Sequence, residues 1–260
     1  MDLGLRDRTV LVTGGSSGIG AATAVAFGRE GARVALTYRD RKDAAERVAG
    51  EVERAGGQAL ALPLDLGDPG SVRAAVESVE RRWGPVSSLV GNAVNWGADG
   101  PDLNARFEDV PHETWLAMLG SNVAGNAALA AAVLPGMRRA GFGRVVFVSS
   151  GVAEEGLPGP GPYGTAKSAL HGLARALAWN AGPDGVLVNV VAPGFTLTDR
   201  GWEPPRELLE TMASRTPSRR LSTAADVAGL IVFLASAANG NLTGELIREG
   251  SSAGRSGHTV

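Results

Sequence analysis

The chain has 260 residues, is 44% hydrophobic and is close to neutral, with 25 Lys and Arg against 27 Asp and Glu. Such a length buries most of its own surface, the charge offers no basic field that would attract nucleic acid, and the absence of cysteine rules out disulfides, thiolate catalysis and Cys-ligated zinc. No apolar run of about 18 residues calls for a membrane span, and residues 1–7 lack the basic start and apolar stretch of a signal peptide, so a cytoplasmic protein with no membrane partner is expected.

The first ninety residues alternate between two periods. Residues 10–13 form a short buried-strand run, 21–30 the helix behind it, and 33–38 a second strand. Residues 41–55 place Ala44, Ala45, Val48, Val52 and Ala55 at the three-four spacing of one buried helical stripe. A third strand is expected at 59–64. Asp68-Pro69 then supplies an N-cap and a first-turn proline to a helix that buries Val72, Ala75, Val76, Val79 and Trp83. A fourth strand follows at 86–90.

The second half continues with an alanine-rich helix at 115–139, a strand at 144–149, a helix at 163–181, a strand at 186–191, a helix at 226–235 and a strand at 245–248. Repeated βα alternation predicts an α/β fold, a single-domain Rossmann-type doubly wound parallel sheet of about seven strands with helices on both faces. No Pro/Ser-rich linker divides it, so residues 1–250 read as one domain and 251–260 as a polar tail.

Thr13-Gly14-Gly15-Ser16-Ser17-Gly18-Ile19-Gly20 runs from a strand into a helix. A dinucleotide needs this arrangement: a tight turn, close backbone approach to the diphosphate, and helix N–H groups aimed at the anion. An ordinary glycine-rich turn is the competing reading, and the strand–helix context argues against it. The second strand ends in Tyr38-Arg39, with Arg41 and Lys42 beyond, where an acidic residue would repel a 2′-phosphate. Arginine accepts that phosphate bidentately, which selects NADP(H) over NAD(H). Asp65 closes the third strand, either to meet an adenine amino group or to cap Gly67 or Ser71, and spacing leaves both open.

Tyr163 and Lys167 stand four residues apart at a helix start, so they share a face. An ammonium beside a phenol favours the phenolate, and such a tyrosine can exchange a proton with a carbonyl oxygen. Ser150, at the end of the fifth strand, can hydrogen-bond the same oxygen. In an open α/β sheet that strand end is where ligands sit.

The chain resembles the short-chain dehydrogenase/reductase family over nearly its whole length. The likeness rests on Thr13-Gly14-x-x-x-Gly18-x-Gly20, Asp65, Asn92-Ala93, Asn122, Ser150, Tyr163-x-x-x-Lys167 and Pro193-Gly194-x-x-x-Thr198. It implies a tetrad: Tyr163 as general acid/base, Lys167 holding the nicotinamide ribose and tuning the phenol, Ser150 orienting the carbonyl, and Asn122 holding a relay water through its backbone carbonyl. It further implies a cofactor cradle in which Gly14, Ser16, Ser17, Gly18, Ile19 and Gly20 form the turn. Arg39, Asp65, Leu66 and Asn92 would also contribute to it. Tyr163, Lys167, Pro193, Gly194, Thr196 and Thr198 would line the nicotinamide side. Residues 199–216, with Trp202 and Pro204-Pro205, are expected to form a lid.

Three departures stand out against that family. Its Asn-Asn-Ala-Gly is Gly91-Asn92-Ala93-Val94 here, its aspartate before the fourth strand is Ser87, and its late Asp-Gly-Gly is Glu249-Gly250-Ser251. The stretch between Asn92 and Trp115 is about six residues longer than is usual there, and this insertion is expected to shape substrate choice. The expected activity is NADPH-dependent reduction of a ketone, either a small molecule or a substrate on an acyl carrier protein, with Arg138-Arg139 or Arg215, Arg219 and Arg220 as possible carrier contacts. An NAD-dependent alcohol dehydrogenase and a nucleotide-binding sensor or scaffold are the alternatives. The small apolar residues of 115–139 and 163–181 suggest a homodimer or homotetramer. The three histidines lack metal spacing.

Overall fold

A computed structural model describes residues 1–96, 106–156, 161–199 and 205–250. The first half is β1 (Thr9–Val12), α1 (Gly18–Arg29), β2 (Arg33–Tyr38), α2 (Lys42–Arg54), β3 (Gln58–Pro63), α3 (Pro69–Trp83) and β4 (Ser88–Gly91). The second half is α4 (His112–Leu119), α5 (Gly125–Ala140), β5 (Gly143–Val148), α6 (Val152–Glu155), α7 (Gly161–Ala181), β6 (Val186–Pro193), β7 (Thr196–Leu197), α8 (Arg206–Ser214), β8 (Ser222–Thr223), α9 (Ala224–Leu234) and β9 (Leu246–Glu249).

Seven strands form one parallel sheet in the order β3-β2-β1-β4-β5-β6-β9. The chain winds outward through β2 and β3, then crosses back to lay β4 beside β1. The reversal opens a crevice above the carboxyl ends of β1 and β4. The glycine turn leaves β1 there and Asn92 leaves β4 there.

Strand pleating divides the core. Leu11 faces a cluster with Val72 and Val76 of α3, Leu129 and Val133 of α5, and Leu170 of α7. Val10 and Val12 face the opposite side, with Phe27 of α1, Val48 and Val52 of α2 and Ile231 of α9. Because both faces are covered, strands such as Val186–Pro193 are buried along their full length. In α3, Asp68 accepts from Gly70 N at 2.7 Å and Pro69 opens the first turn, a cap that stabilises by about 1 kcal/mol. Trp83 is only partly buried against the core.

The long helix expected at 115–139 starts three residues earlier and is not uniform. A π-helical turn at Gly120–Ala124 separates α4 from α5, and such single-turn bulges gather at functional sites. The run from His112 to Ala140, 29 residues, is long and apolar enough to cross a bilayer. Here Leu129, Val133 and Met137 are spent on the protein's own core. The expected lid is partly helical, since it contains α8. Gly97 and Asp99–Asp102 of the insertion, Trp202 and Pro204 of the lid, and the tail 251–260 lie outside the described residues.

Candidate active site

A cleft of about 320 Å³ opens at the crevice. Gly14, Ser16 and Ser17 line it from the turn, Arg39 and Arg41 from the end of β2, Asp65 and Leu66 from the end of β3, and Asn92 with Asn95 and Trp96 from beyond β4. The turn leaves room for nothing larger than glycine at its key points. Gly14 and Gly18 have φ of +65° and +56°, the left-handed region where a Cβ is strained. A Cβ on Gly20 would lie 2.3 Å from Gly14 O and 2.5 Å from Asn92 Nδ2.

Asn92 locks this turn to β4. Its Nδ2 donates to Thr13 O at 2.9 Å and Gly14 O at 3.2 Å, and its backbone N donates to Thr13 Oγ1 at 3.0 Å. Gly14 N donates to Thr37 Oγ1 and Gly15 N to Thr37 O, which pins the turn to β2 as well. The first turn of α1 then presents its N–H groups with no side-chain cap from Ser17. Close backbone approach, a helix N-terminus and two guanidinium groups form a donor set that fits a dinucleotide phosphate.

The charges differ in detail from the expectation. Arg39 is half exposed and pairs with Asp40 at 2.8 Å, and that hydrogen bond raises its pKa further. Arg41 makes the contact with the turn, donating from Nη2 to Ser17 Oγ at 2.6 Å. Lys42 faces Glu46 at 3.6 Å. Asp65 takes the capping role: Oδ1 accepts from Gly67 N at 2.8 Å, while its backbone N donates to Ser71 Oγ. The carboxylate still lines the cleft. Asp199, placed by sequence only at the start of the lid, accepts from Gly18 N at 3.0 Å.

Lys167 is buried, 4% exposed, and its Nζ donates to Val148 O at 2.7 Å. That ammonium sits 5.8 Å from the centroid of the Tyr163 ring. Ser150 caps the start of α6, its Oγ accepting from Val152 N at 3.3 Å. Neighbouring Ser149 braces α7 through Lys167 O at 3.0 Å and His171 Nε2 at 2.8 Å. Burial, then Arg175, pushes the His171 pKa down. Asn122 lies in the π turn and is 1% exposed. Its side chain grips the backbone of Asn95 from both sides, Oδ1 accepting from N and Nδ2 donating to O, each at 2.9 Å.

The Trp96 ring stacks on Tyr163 with centroids 4.2 Å apart and planes 23° apart. Since Trp96 also lines the cleft, it joins the glycine-turn half of the site to the tyrosine half. The family profile described as enoyl-(acyl carrier protein) reductase matches residues 14–248. The 3-oxoacyl-(acyl-carrier-protein) reductase of Pseudomonas aeruginosa is 34% identical over 245 residues, 94% of this chain and 96% of that one. The acetoacetyl-CoA reductase of Rhizobium meliloti is 36% identical over 246 residues, 92% and 95% of the two chains. This chain is a short-chain dehydrogenase/reductase. A short-chain dehydrogenase from Burkholderia cenocepacia, solved in complex with NADP, superposes with a TM-score of 0.83 at 31% identity, covering 96% of this chain and 98% of that one.

In this short-chain dehydrogenase/reductase the departures from the family pattern have local compensations. A Cβ on Gly91 would lie 2.5 Å from Asn126 Oδ1 and 2.7 Å from Phe147 Cδ1, so the place of the missing asparagine is filled from α5 and β5. Asn126, which sequence reading passed over, also donates Nδ2 to Asn122 O at 2.7 Å, the carbonyl assigned to the relay water. Ser87 Oγ donates to Thr9 O and keeps β4 tied to β1. Glu249 Oε1 accepts from Ser222 Oγ at 3.0 Å, and burial raises its pKa. Pro193 O accepts from Gly151 N at 2.9 Å, Gly194 N donates to Glu249 O at 2.8 Å, and Thr196 Oγ1 donates to Gly194 O at 3.0 Å. These bonds tie the loop after β6 to Ser150's neighbour and to β9. Ile19 of α1 packs on the core cluster, and Thr198 is half-buried one residue before Asp199.

Two of the basic groups are engaged locally. Arg138 ends α5 at the strand-start edge, opposite the cleft, where it is engaged by Asp184 and by Asn180 O and Oδ1. Arg220 pairs with Asp226 at 2.7 Å.

Proposed function

We propose that this protein reduces a ketone to a secondary alcohol with NADPH. The observation that carries the reading is the buried Lys167 ammonium, hydrogen-bonded to Val148 O beside the Tyr163 ring, on the same sheet edge as the glycine turn. A bound nicotinamide supplies the hydride that reaches the carbonyl carbon. Tyr163 donates its hydroxyl proton to the carbonyl oxygen as the π pair moves there. Lys167 favours the phenolate left behind. Ser150 donates a hydrogen bond to the same oxygen and steadies the growing charge. Asn122 positions the far wall through Asn95 and carries the proton-relay role at its backbone carbonyl. Gly14, Ser16, Gly18, Ile19, Gly20, Asn92, Leu66, Asp65, Pro193, Gly194, Thr196 and Thr198 complete the cofactor cradle in this reading.

NADP(H) over NAD(H) is supported by Arg39 and Arg41 lining the cleft at the end of β2, and by the NADP complex of the Burkholderia relative. Arg39→Ala with Arg41→Ala is expected to lower kcat/KM for NADPH by about tenfold or more, the worth of a lost charge-assisted contact, with a much smaller change for NADH. Equal losses for both cofactors would return the preference to the turn itself. Steady-state oxidation of NADPH and NADH with one ketone reads the difference.

The names of the relatives support acyl thioesters as candidate substrates, and a ketoreductase tailoring another metabolite belongs to the same reaction class. A non-catalytic sensor is the alternative, and it predicts NADPH binding with no consumption across a ketone panel. Cytoplasmic location and a homodimer or homotetramer complete the proposal. The assembly is supported by Trp179 of α7 and Leu116 of α4, which are 87% and 59% exposed, and a sedimenting monomer would contradict it.

A further inference from the structure

The wall beside Tyr163 is aromatic and short of cations. Trp96 covers one face of the tyrosine ring at 4.2 Å. Its backbone is not free to drift, since Asn122 holds the preceding residue at both N and O. Phe107 and Trp115 form a second pair, centroids 5.6 Å apart and nearly edge-on. Both rest where a Cβ of Gly161 would be, at 3.4 Å from Trp115 and 3.7 Å from Phe107, two residues before Tyr163. The start of α7 therefore meets three further rings, of which Trp96 lies on the reacting phenol and the other two pack on the turn before it.

Charge on this side points the same way. Among the described residues of 92–123, Arg106 is the one lysine or arginine, and it faces Glu108 at 4.0 Å, with Asp109 and Glu113 close in sequence. On the lid side, Arg206 pairs with Glu210, Arg220 with Asp226 and Arg219 with Ser214 O, and Arg215 is exposed. A substrate carried on phosphopantetheine brings phosphate groups, and those need cations near the mouth. A flat ring needs rigid aromatic surface, which offset stacking rewards.

Resting on the ketone-reduction reading, we propose that the substrate is an uncharged or cationic ketone borne on a flat aromatic or fused ring, and that Trp96 is the residue that selects it over acyl thioesters of coenzyme A or carrier protein. Trp96 is a specificity-determining wall. The proton still comes from Tyr163.

The test compares 2-tetralone, a bicyclic ring ketone, with acetoacetyl-CoA, following NADPH oxidation by the wild-type protein, Trp96→Phe and Trp96→Ala. NADPH affinity is titrated in parallel to show that each variant is folded and loaded. The wild type is expected to prefer the ring ketone in kcat/KM. Trp96→Ala is expected to lower the ratio of the two kcat/KM values by about tenfold, the scale of a lost aromatic contact, and Trp96→Phe to keep most of it. A wild-type preference for acetoacetyl-CoA, or an unchanged ratio in Trp96→Ala, overturns the ring-ketone inference alone. If NADPH binds and neither ketone is reduced, the reduction reading falls and takes this inference with it.

Discussion

Tyr163→Phe is expected to cut ketone reduction by about a hundredfold or more, the usual contribution of a positioned general acid, with NADPH still bound. The substitution removes one oxygen and keeps the ring. Phenylalanine can hold the stack against Trp96, so the wall and the start of α7 stay in place. Lys167 keeps its bond to Val148 O, because that contact does not involve the tyrosine. The loss should therefore fall on kcat and kcat/KM together, as for an interaction made only in the transition state. A variant that reduces ketones at the wild-type rate would remove Tyr163 from the chemistry and favour another proton source. Unchanged cofactor binding with no turnover in either protein would favour the sensor reading.

Gly20→Ala is expected to abolish cofactor binding at ordinary NADPH concentrations and to lower stability. The added methyl group would sit 2.3 Å from Gly14 O, 2.9 Å from Gly14 C and 2.5 Å from Asn92 Nδ2. Two of those atoms are backbone, and Asn92 Nδ2 is itself bonded to Thr13 O and Gly14 O, so none can step aside without opening the turn. Overpacking of this kind costs about 1–3 kcal/mol, and each kcal/mol lowers Tm by about 2–4 °C in a chain this large. The turn also loses the geometry that lets backbone N–H groups meet a phosphate. Gly50→Ala in α2 is the control, since nothing lies within 4 Å of its Cβ position. It is expected to stabilise by about 0.5–1 kcal/mol through reduced chain entropy. Thermal melts and an NADPH fluorescence titration on the same samples separate the two effects. Normal cofactor affinity in Gly20→Ala would contradict the close-approach argument.

Much of the fold was readable because its causes are local. The burial stripe of α2 follows from the spacing of Ala45, Val48 and Val52, and the start of α3 from Asp68-Pro69. Strands buried on both faces read as apolar runs, as in β6. The π turn at Gly120–Ala124 left no such trace, since a one-residue change in hydrogen-bond register does not alter an alanine-rich composition. Arg39 was read as the phosphate cation from its place at the strand end. The structure keeps Arg39 in the cleft lining, paired with Asp40, and adds Arg41 at Ser17, a contact set by side-chain reach that order along the chain cannot express.

The residue order alone determined the strand–turn–helix cradle, the parallel sheet and the Tyr163–Lys167 spacing, because glycine conformation, apolar period and helical pitch act over a few neighbouring residues. Tertiary structure decided which distant groups meet: Trp96 on Tyr163, Asn122 on Asn95, Asn126 in the space beside Gly91, and Asp199 on the Gly18 amide across 181 residues. Those meetings depend on how helices pack against both faces of the open sheet, where each contact is set by the volume and polar needs of all its neighbours together.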